Sequence, residues 1–425
     1  MKKRILALAL AAGFSVVAFA RPTVLSIKES IQDSTIVYPE SFETDTQELM
    51  KNWYLQNYAV LSGDSETKDD VPTSVEDYLQ RLKALPTVIE MPYNQVVRSY
   101  IDMYTQRRRT LVEEMLGLSL YYMPIFEQAL EQEGLPLELK YLPVIESALN
   151  PSAVSRAGAS GLWQFMIGTG KIYGLESNSL VDERRDPIKA TWAAARYLKE
   201  MYDIYGDWNL VIAAYNCGPG TINKAIRRAN GETDYWKIYN YLPKETRGYV
   251  PAFIAANYVM TYYCDHNICP METNIPASTD TVQVNKNLHF EQIADLCNVP
   301  LDQIKSLNPQ YKKQMIPGDS KPYTLRLPID AISTFIDKQD TIYAHRADEL
   351  FRNRKTVAVK EITPSTRKTT TAVAGKGKLT YYTIKSGDTL STIAGKYGVT
   401  IKDIQRWNGM SNTKIAAGKR LKIYK

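Results

Sequence analysis

The sequence predicts a mainly α-helical body followed by two small β-α-α-β modules. Three observations carry that reading. Apolar residues recur at helical spacing between Val71 and Tyr263, strand signals are sparse there, and the last third of the chain repeats itself. Sliding the chain against itself by one hundred residues overlays 282–308 on 382–408 without a gap. The pairs Ile293/Ile393, Ala294/Ala394, Val299/Val399, Ile304/Ile404 and Asn308/Asn408 are identical. Each copy opens with a short strand (Val282-Gln283-Val284; Tyr382-Thr383-Ile384), runs through two short helical patterns and closes with a strand at 323–327 or 420–424.

A chain of 425 residues is too long for one ordinary core, so several domains are expected. Lys2, Lys3 and Arg4, the apolar run 5–17 and Ala18-Phe19-Ala20 read as a cleaved signal peptide over 1–20. Residues 21–75 are polar and irregular, a loosely ordered lead-in. The helical domain covers 76–275. Ser74-Val75-Glu76-Asp77 opens its first helix, with Leu79, Leu82 and Leu85 on one face. Another helix is expected at 94–104. Leu111, Met115, Leu118, Tyr122, Ile125 and Leu130 space a long one up to Gly134, and Pro136 opens the next segment. Further helices are expected at 187–204, 210–214, 222–228 and 250–263. The first repeat copy occupies 280–330, a linker 331–378 with its Thr/Lys-rich part from Arg352, and the second copy 379–425.

Composition excludes several function classes. Hydrophobic content of 44% is ordinary for a globular protein, and no segment after the signal peptide is long and apolar enough to span a membrane. The net charge of +6 is uneven: 351–425 carries seventeen Lys/Arg against three Asp/Glu, or +14, leaving −8 elsewhere. That excess fits attraction to an anionic envelope polymer or membrane surface, and so peripheral membrane association; it fits equally a solvated tether that resists collapse. Export disfavours nucleic acid as a partner. The three histidines are scattered and no Cys/His cluster has ligand spacing, so no metal and no cofactor is expected. Cys264 and Cys269 are spaced to close a small loop by a disulfide, whereas Cys217 and Cys297 read as buried thiols.

The chemistry concentrates in three strings. Val144-Ile145-Glu146-Ser147-Ala148-Leu149-Asn150-Pro151 sets one carboxylate at the end of an apolar run. Gly161-Leu162-Trp163-Gln164-Phe165-Met166 and Ala213-Ala214-Tyr215-Asn216-Cys217-Gly218-Pro219-Gly220 follow. A carboxylic acid delivers a proton to a glycosidic oxygen near neutral pH only if apolar surroundings raise its pKa to about 6. Val144, Ile145, Ala148 and Leu149 supply that setting, with Trp163, Phe165, Met166 and Tyr215 as candidate walls. A lone Glu at a helix end is ordinarily just solvated; the three strings together reverse that expectation. Asp182, Glu183 and Asp186 sit beside Arg184 and Arg185 and read as structural partners of those arginines.

Taken in this order, the strings resemble the catalytic domain of the peptidoglycan lytic transglycosylases related to goose-type lysozyme, in their LysM-bearing membrane-bound branch. The likeness covers about 100–265 and 280–425. It implies a lysozyme-like helical catalytic domain followed by two LysM-like modules, acting on peptidoglycan glycan strands in the periplasm or cell envelope. It implies Glu146 as acid and then base, with the substrate's N-acetyl oxygen sharing the charge and the MurNAc C6 hydroxyl closing a 1,6-anhydro ring. Hydrolysis by the same fold and sugar binding without catalysis are the rival readings. Substrate-binding positions carried over are Ser147, Ser155, Gln164, Met166, Tyr215, Asn216, Glu245 and Tyr249, with the Tyr215 phenol expected to steady the acid. In the second module, Gly387, Asp388, Thr389 and Leu390 match the family's sugar-binding turn, and Asn408 and Ile415 the opposing loop. The first copy has Asn287 and Leu288 where Gly387 and Asp388 stand, which implies a module degenerate for binding.

Overall fold

The helix Tyr249–Tyr262 is apolar on every face, and such a helix is stable only when surrounded. It forms the axis of the body, packed against Gln95–Asp102, Trp208–Cys217 and the short helix Leu142–Ser147. The computed structural model describes residues 24–42, 69–351 except 274 and 277, and 379–424 except 386, 387, 411, 412 and 414. The signal peptide expected at 1–20 and the tether from Arg352 to Lys378 lie outside the described residues.

Local signals set most helix ends. Ser74 and Asp77 form a reciprocal capping box at Val75–Ala84. Asp207 caps Trp208–Cys217 through the Leu210 amide. Asp186 caps Pro187–Tyr205, with Pro187 at its first position and Gly206 left-handed behind it. The 25-residue helix Arg109–Glu133 ends on Gly134 at φ 69° and packs along Pro187–Tyr205. The expected helices are all present, with ends displaced by a few residues.

Three expectations need correction. Residues 24–42 are not a loose lead-in: Ile31, Ile36 and Tyr38 pack on the core, Lys28 is buried against Glu90, and Asn94 donates to the Lys28 carbonyl at 3.0 Å. The linker does not begin at 331. Ile329–Asp337, Gln339–Ala344 and Ala347–Leu350 are helices whose Phe335, Ile342 and Leu350 are buried, completing the first module. No disulfide joins Cys264 and Cys269, and Cys217 is only half-buried.

The first module pairs Thr279–Val284 antiparallel with Tyr323–Pro328, and Asn287–His289 with Met315–Pro317. Its core admits Leu180 and Val181 from the helical body. Backbone bonds join the two, from the Asp182 amide to the Gln310 carbonyl and from the Lys312 amide to the Leu180 carbonyl, both 2.8 Å. Residues 360–425 form a separate unit. Within it Leu379–Thr383 pairs with Arg420–Tyr424 over a core of Ile384, Leu390, Ile393, Ala394, Ile404, Trp407, Leu421 and Ile423.

Candidate active site

Glu146 lies on the last turn of Leu142–Ser147. Two consecutive left-handed residues, Ala148 at φ 47° and Leu149 at φ 60°, end that helix. The conformation costs about 1–2 kcal/mol per residue. It is held because both side chains are buried and the Leu149 amide bonds back to the Pro143 carbonyl at 3.2 Å. The turn sends the chain away abruptly and leaves Glu146 at the edge of the core. Burial raises its carboxyl to about 7, against the opposing hydrogen bond that the Tyr249 hydroxyl donates to its Oε1. Tyr215 also lies within electrostatic reach of the acid; burial, then the Glu146 charge, pushes its phenol far above the ordinary range.

The loop opposite is built by buried anchors. The Trp163 indole is fully buried and donates to Thr191 Oγ1 at 2.9 Å. The Tyr215 hydroxyl donates to the Trp163 carbonyl at 2.7 Å. Arg184, buried with Asp182 as its partner at 2.8 and 2.9 Å, donates to the Gly158 and Phe165 carbonyls, each at 2.9 Å. Gly161, at φ 89°, has no room for a Cβ, which would stand 1.7 Å from the Arg184 carbonyl oxygen. Phe165, Tyr173, Tyr197 and Tyr215 form an aromatic wall with ring centroids 5.2–6.5 Å apart.

The structure redistributes the roles expected for the other residues. The phenol on the acid belongs to Tyr249, at the start of the central helix, and Tyr215 instead fixes the loop. Ser147 is 1% exposed and its hydroxyl points at the Pro143 and Leu162 carbonyls, at 3.1 and 2.9 Å. It ties the acid helix to the loop and cannot reach a substrate. Ser155 Oγ accepts from the Ala159 amide at 3.1 Å but remains half-buried. Gln164, left-handed at φ 47°, donates to the Gly161 and Ala153 carbonyls, and Met166 is half-buried beside it. Asn216 and Glu245 are exposed, and Thr246 donates to Asn216 Oδ1 at 2.9 Å. Arg247 does not pair with Glu245; it donates to the Leu242 and Asn240 carbonyls. The carboxylates of 182–186 are engaged as the sequence suggests, Asp182 by Arg184, Glu183 by Lys189 and Asp186 by the helix amides.

Sequence reading missed Tyr173 and Tyr197, whose helical spacing resembles ordinary core, and Ser41, whose hydroxyl donates to the Ile145 carbonyl at 2.8 Å. In the second module Gly387 lies outside the described residues. Asp388 accepts from Tyr382 and the Lys385 amide, Thr389 caps Leu390–Tyr397, and Leu390 is buried. The Asn408 amide is spent on the Ile404 and Lys422 backbones, and Ile415 packs half-buried on the core. These side chains shape the loops of the module. Among the described residues no His/Cys/Asp/Glu cluster could hold a metal, and no helix is long and apolar enough to cross a membrane.

An acid raised toward neutrality beside an aromatic wall, on a mainly helical body with LysM-like modules, fits the arrangement that the sequence resemblance implies. Comparison with known proteins agrees: residues 123–238 match the transglycosylase SLT domain family, 278–344 the LysM-like domain of lytic transglycosylase MltD, and 382–423 the LysM domain. One segment of the chain thus matches the SLT domain family and two match LysM-type families. It is 32% identical over 280 residues to the membrane-bound lytic murein transglycosylase D of Escherichia coli K12, covering 64% of this chain and 57% of that protein. The chain thus matches little more than half the length of this relative. It is 33% identical over 120 residues to the soluble lytic murein transglycosylase of the same organism, covering 27% of this chain and 19% of that one. The 70 kDa soluble lytic transglycosylase structure from Escherichia coli matches at 22% identity and TM-score 0.32, over 56% of this chain and 40% of that one.

Proposed function

We propose that this protein is a murein lytic transglycosylase of the cell envelope that cleaves the MurNAc-β-1,4-GlcNAc bond and leaves a 1,6-anhydroMurNAc end. One observation carries the reading: Glu146 is held near pKa 7, so it can be an acid and a base in turn. The protonated carboxyl gives its proton to the glycosidic oxygen as the C1–O bond breaks, and the substrate's N-acetyl oxygen takes up the positive charge at C1. The Tyr249 hydroxyl, bonded to Glu146 Oε1, steadies the carboxylate formed. That carboxylate takes the proton of the MurNAc C6 hydroxyl while O6 attacks C1 and displaces the acetyl oxygen. Glu146 ends protonated, and no water is consumed. A single acid suffices, which fits the engagement of Asp182, Glu183 and Asp186 elsewhere.

Ser155, Gln164, Met166, Asn216 and Glu245 would meet the glycan; the turn at 386–390 and the loop with Ile415 would hold N-acetylglucosamine, chiefly through backbone groups. The export signal and the likeness to a membrane-bound murein enzyme support an envelope location. The test is digestion of purified peptidoglycan by wild type and Glu146→Gln, with fragments read by mass. Anhydro ends from the wild type alone are expected; reducing ends would assign a hydrolase, and fragments from both proteins would remove Glu146 from the chemistry. The acid must be protonated to start, so activity falls as pH rises through about 7.

A further inference from the structure

We infer that residues 31–42 are a clamp that positions the catalytic acid by gripping three separate walls of its cleft, an inference that rests on Glu146 being that acid. Four contacts carry it. Ser41, 6% exposed, donates to the carbonyl of Ile145, the residue before Glu146, at 2.8 Å. That carbonyl is one of the last four of a six-residue helix and has no partner within the helix. Glu40 Oε1 accepts from the Arg156 amide at 2.9 Å, next to Ser155 on the second wall. On the third wall, Asp33 Oδ2 lies 3.7 Å from Arg247 Nη1 and 3.3 Å from the Tyr239 hydroxyl. The Val37 carbonyl, finally, accepts from Tyr100 at 2.9 Å, and a Cβ on Gly248 would stand 1.9 Å from that same Tyr100 oxygen and 3.2 Å from the Val37 carbonyl. Gly248 immediately precedes Tyr249, so the segment closes around both partners of the acid pair.

The clamp is itself anchored. Thr35 turns back on Asp33 through its amide and hydroxyl, at 2.8 and 2.7 Å. Burial opposes the Asp33 charge, but Thr35 and Arg247 outweigh it and hold the carboxyl below the ordinary range. Tyr38 packs edge-on against Tyr100 at 5.2 Å. Without the Ser41 bond, the end of the acid helix loses one of its ties and keeps the Ser147 contact to the loop, the turn at 148–149 and the Tyr249 bond. Water would then reach Glu146 more easily, and the Tyr249 bond would loosen. The groups facing Glu146 are the Tyr249 and Tyr215 phenols, and the charged pair on the clamp, Glu40 with Arg156 at 3.8 Å, sits at the surface. Ser41, Asp33 and Glu40 touch no reacting atom and are positioning residues.

The test compares full-length wild type, Ser41→Ala, Ser41→Thr and Asp33→Ala. Thermal melting first establishes which variants are folded. Activity on peptidoglycan is then split into kcat and KM, and the Glu146 carboxyl is titrated by carbon NMR with labelled glutamate. For Ser41→Ala we expect kcat to fall roughly tenfold with KM changed less than about twofold. The Glu146 midpoint should drop from about 7 toward the ordinary carboxylate range, and Ser41→Thr should restore both. A folded Ser41→Ala with unchanged kcat and an unmoved midpoint overturns the clamp; so does a folded Asp33→Ala with wild-type kcat and midpoint. The titration does not depend on turnover. A wild type that yields no anhydro fragments, while Ser41→Ala still moves the midpoint, would defeat the transglycosylase reading and leave the clamp standing.

Discussion

The two LysM-like copies begin from the same repeat and end in different roles. Their helices Phe290–Cys297 and Leu390–Tyr397 start and stop one hundred residues apart to the residue, each followed by a left-handed cap, Asn298 at φ 55° and Gly398 at φ 62°. Asn308 and Asn408 make the same clasp: Nδ2 donates to the carbonyl four residues back and to the closing strand, whose Arg326 or Lys422 amide donates to Oδ1. The difference lies around Asn287. There Asn287–His289 pairs with Met315–Pro317, and Asn287 is bonded twice to Asp319, so the loops are laced together. Gly318 has no room for a Cβ against the Lys286 backbone. The first copy keeps the fold and ties its loops to each other. Its surface is instead taken up by Leu180, Val181 and an ion pair of Lys321 with Glu176 at 2.7 Å. One copy has become part of the helical body, and the other remains a unit of its own.

That contrast can be broken in three ways. The largest effect comes from removing residues 379–425. Sedimentation with peptidoglycan should be largely lost while the melting of the helical body is unchanged, if the first copy is degenerate for binding as its Asn287 and Leu288 imply. Retained sedimentation would mean that the laced module still holds sugar. Next, Ile304 and Ile404 are equivalent and both fully buried. Each →Ala change should cost about 2–5 kcal/mol. Calorimetry should assign the loss for Ile304→Ala to the transition of the catalytic body, with falling activity. For Ile404→Ala it should appear in the tail alone, with cleavage of soluble glycan fragments untouched. A shared transition would contradict two independent units. The smallest effect is that of the clasps. Asn308→Ala and Asn408→Ala each remove three hydrogen bonds that hold the closing strand, for about 1–3 kcal/mol apiece, read by urea denaturation. Unequal losses would show which copy relies more on its neighbours.

Much of this was legible in the sequence. The repeat, the helix starts at Ser74, Asp186 and Asp207, and the acid within its apolar run are encoded by near neighbours, so spacing and capping residues reveal them. Asp182, Glu183 and Asp186 were readable as structural for the same reason, since their partners lie within a few positions. The Tyr249 bond to Glu146 spans 103 positions, and Ser41 reaches Ile145 across 104. No local periodicity records such a pairing, and a polar stretch such as 31–42 looks unstructured until its partners are in place. Likewise, two apolar residues in a loop, Leu180 and Val181, are too few to announce that a whole module docks there.

The sequence by itself determined the helical body, the paired modules and the carboxylate around which the site is built, because propensity, caps and apolar spacing act over a few residues. Only the tertiary structure decided that Tyr249 rather than Tyr215 bonds the carboxylate, that residues 31–42 reach the helix that carries it, and that the first module shares a core with the helical body. Those outcomes depend on which surfaces exclude water from each other, and burial of that kind exists only once distant segments have met.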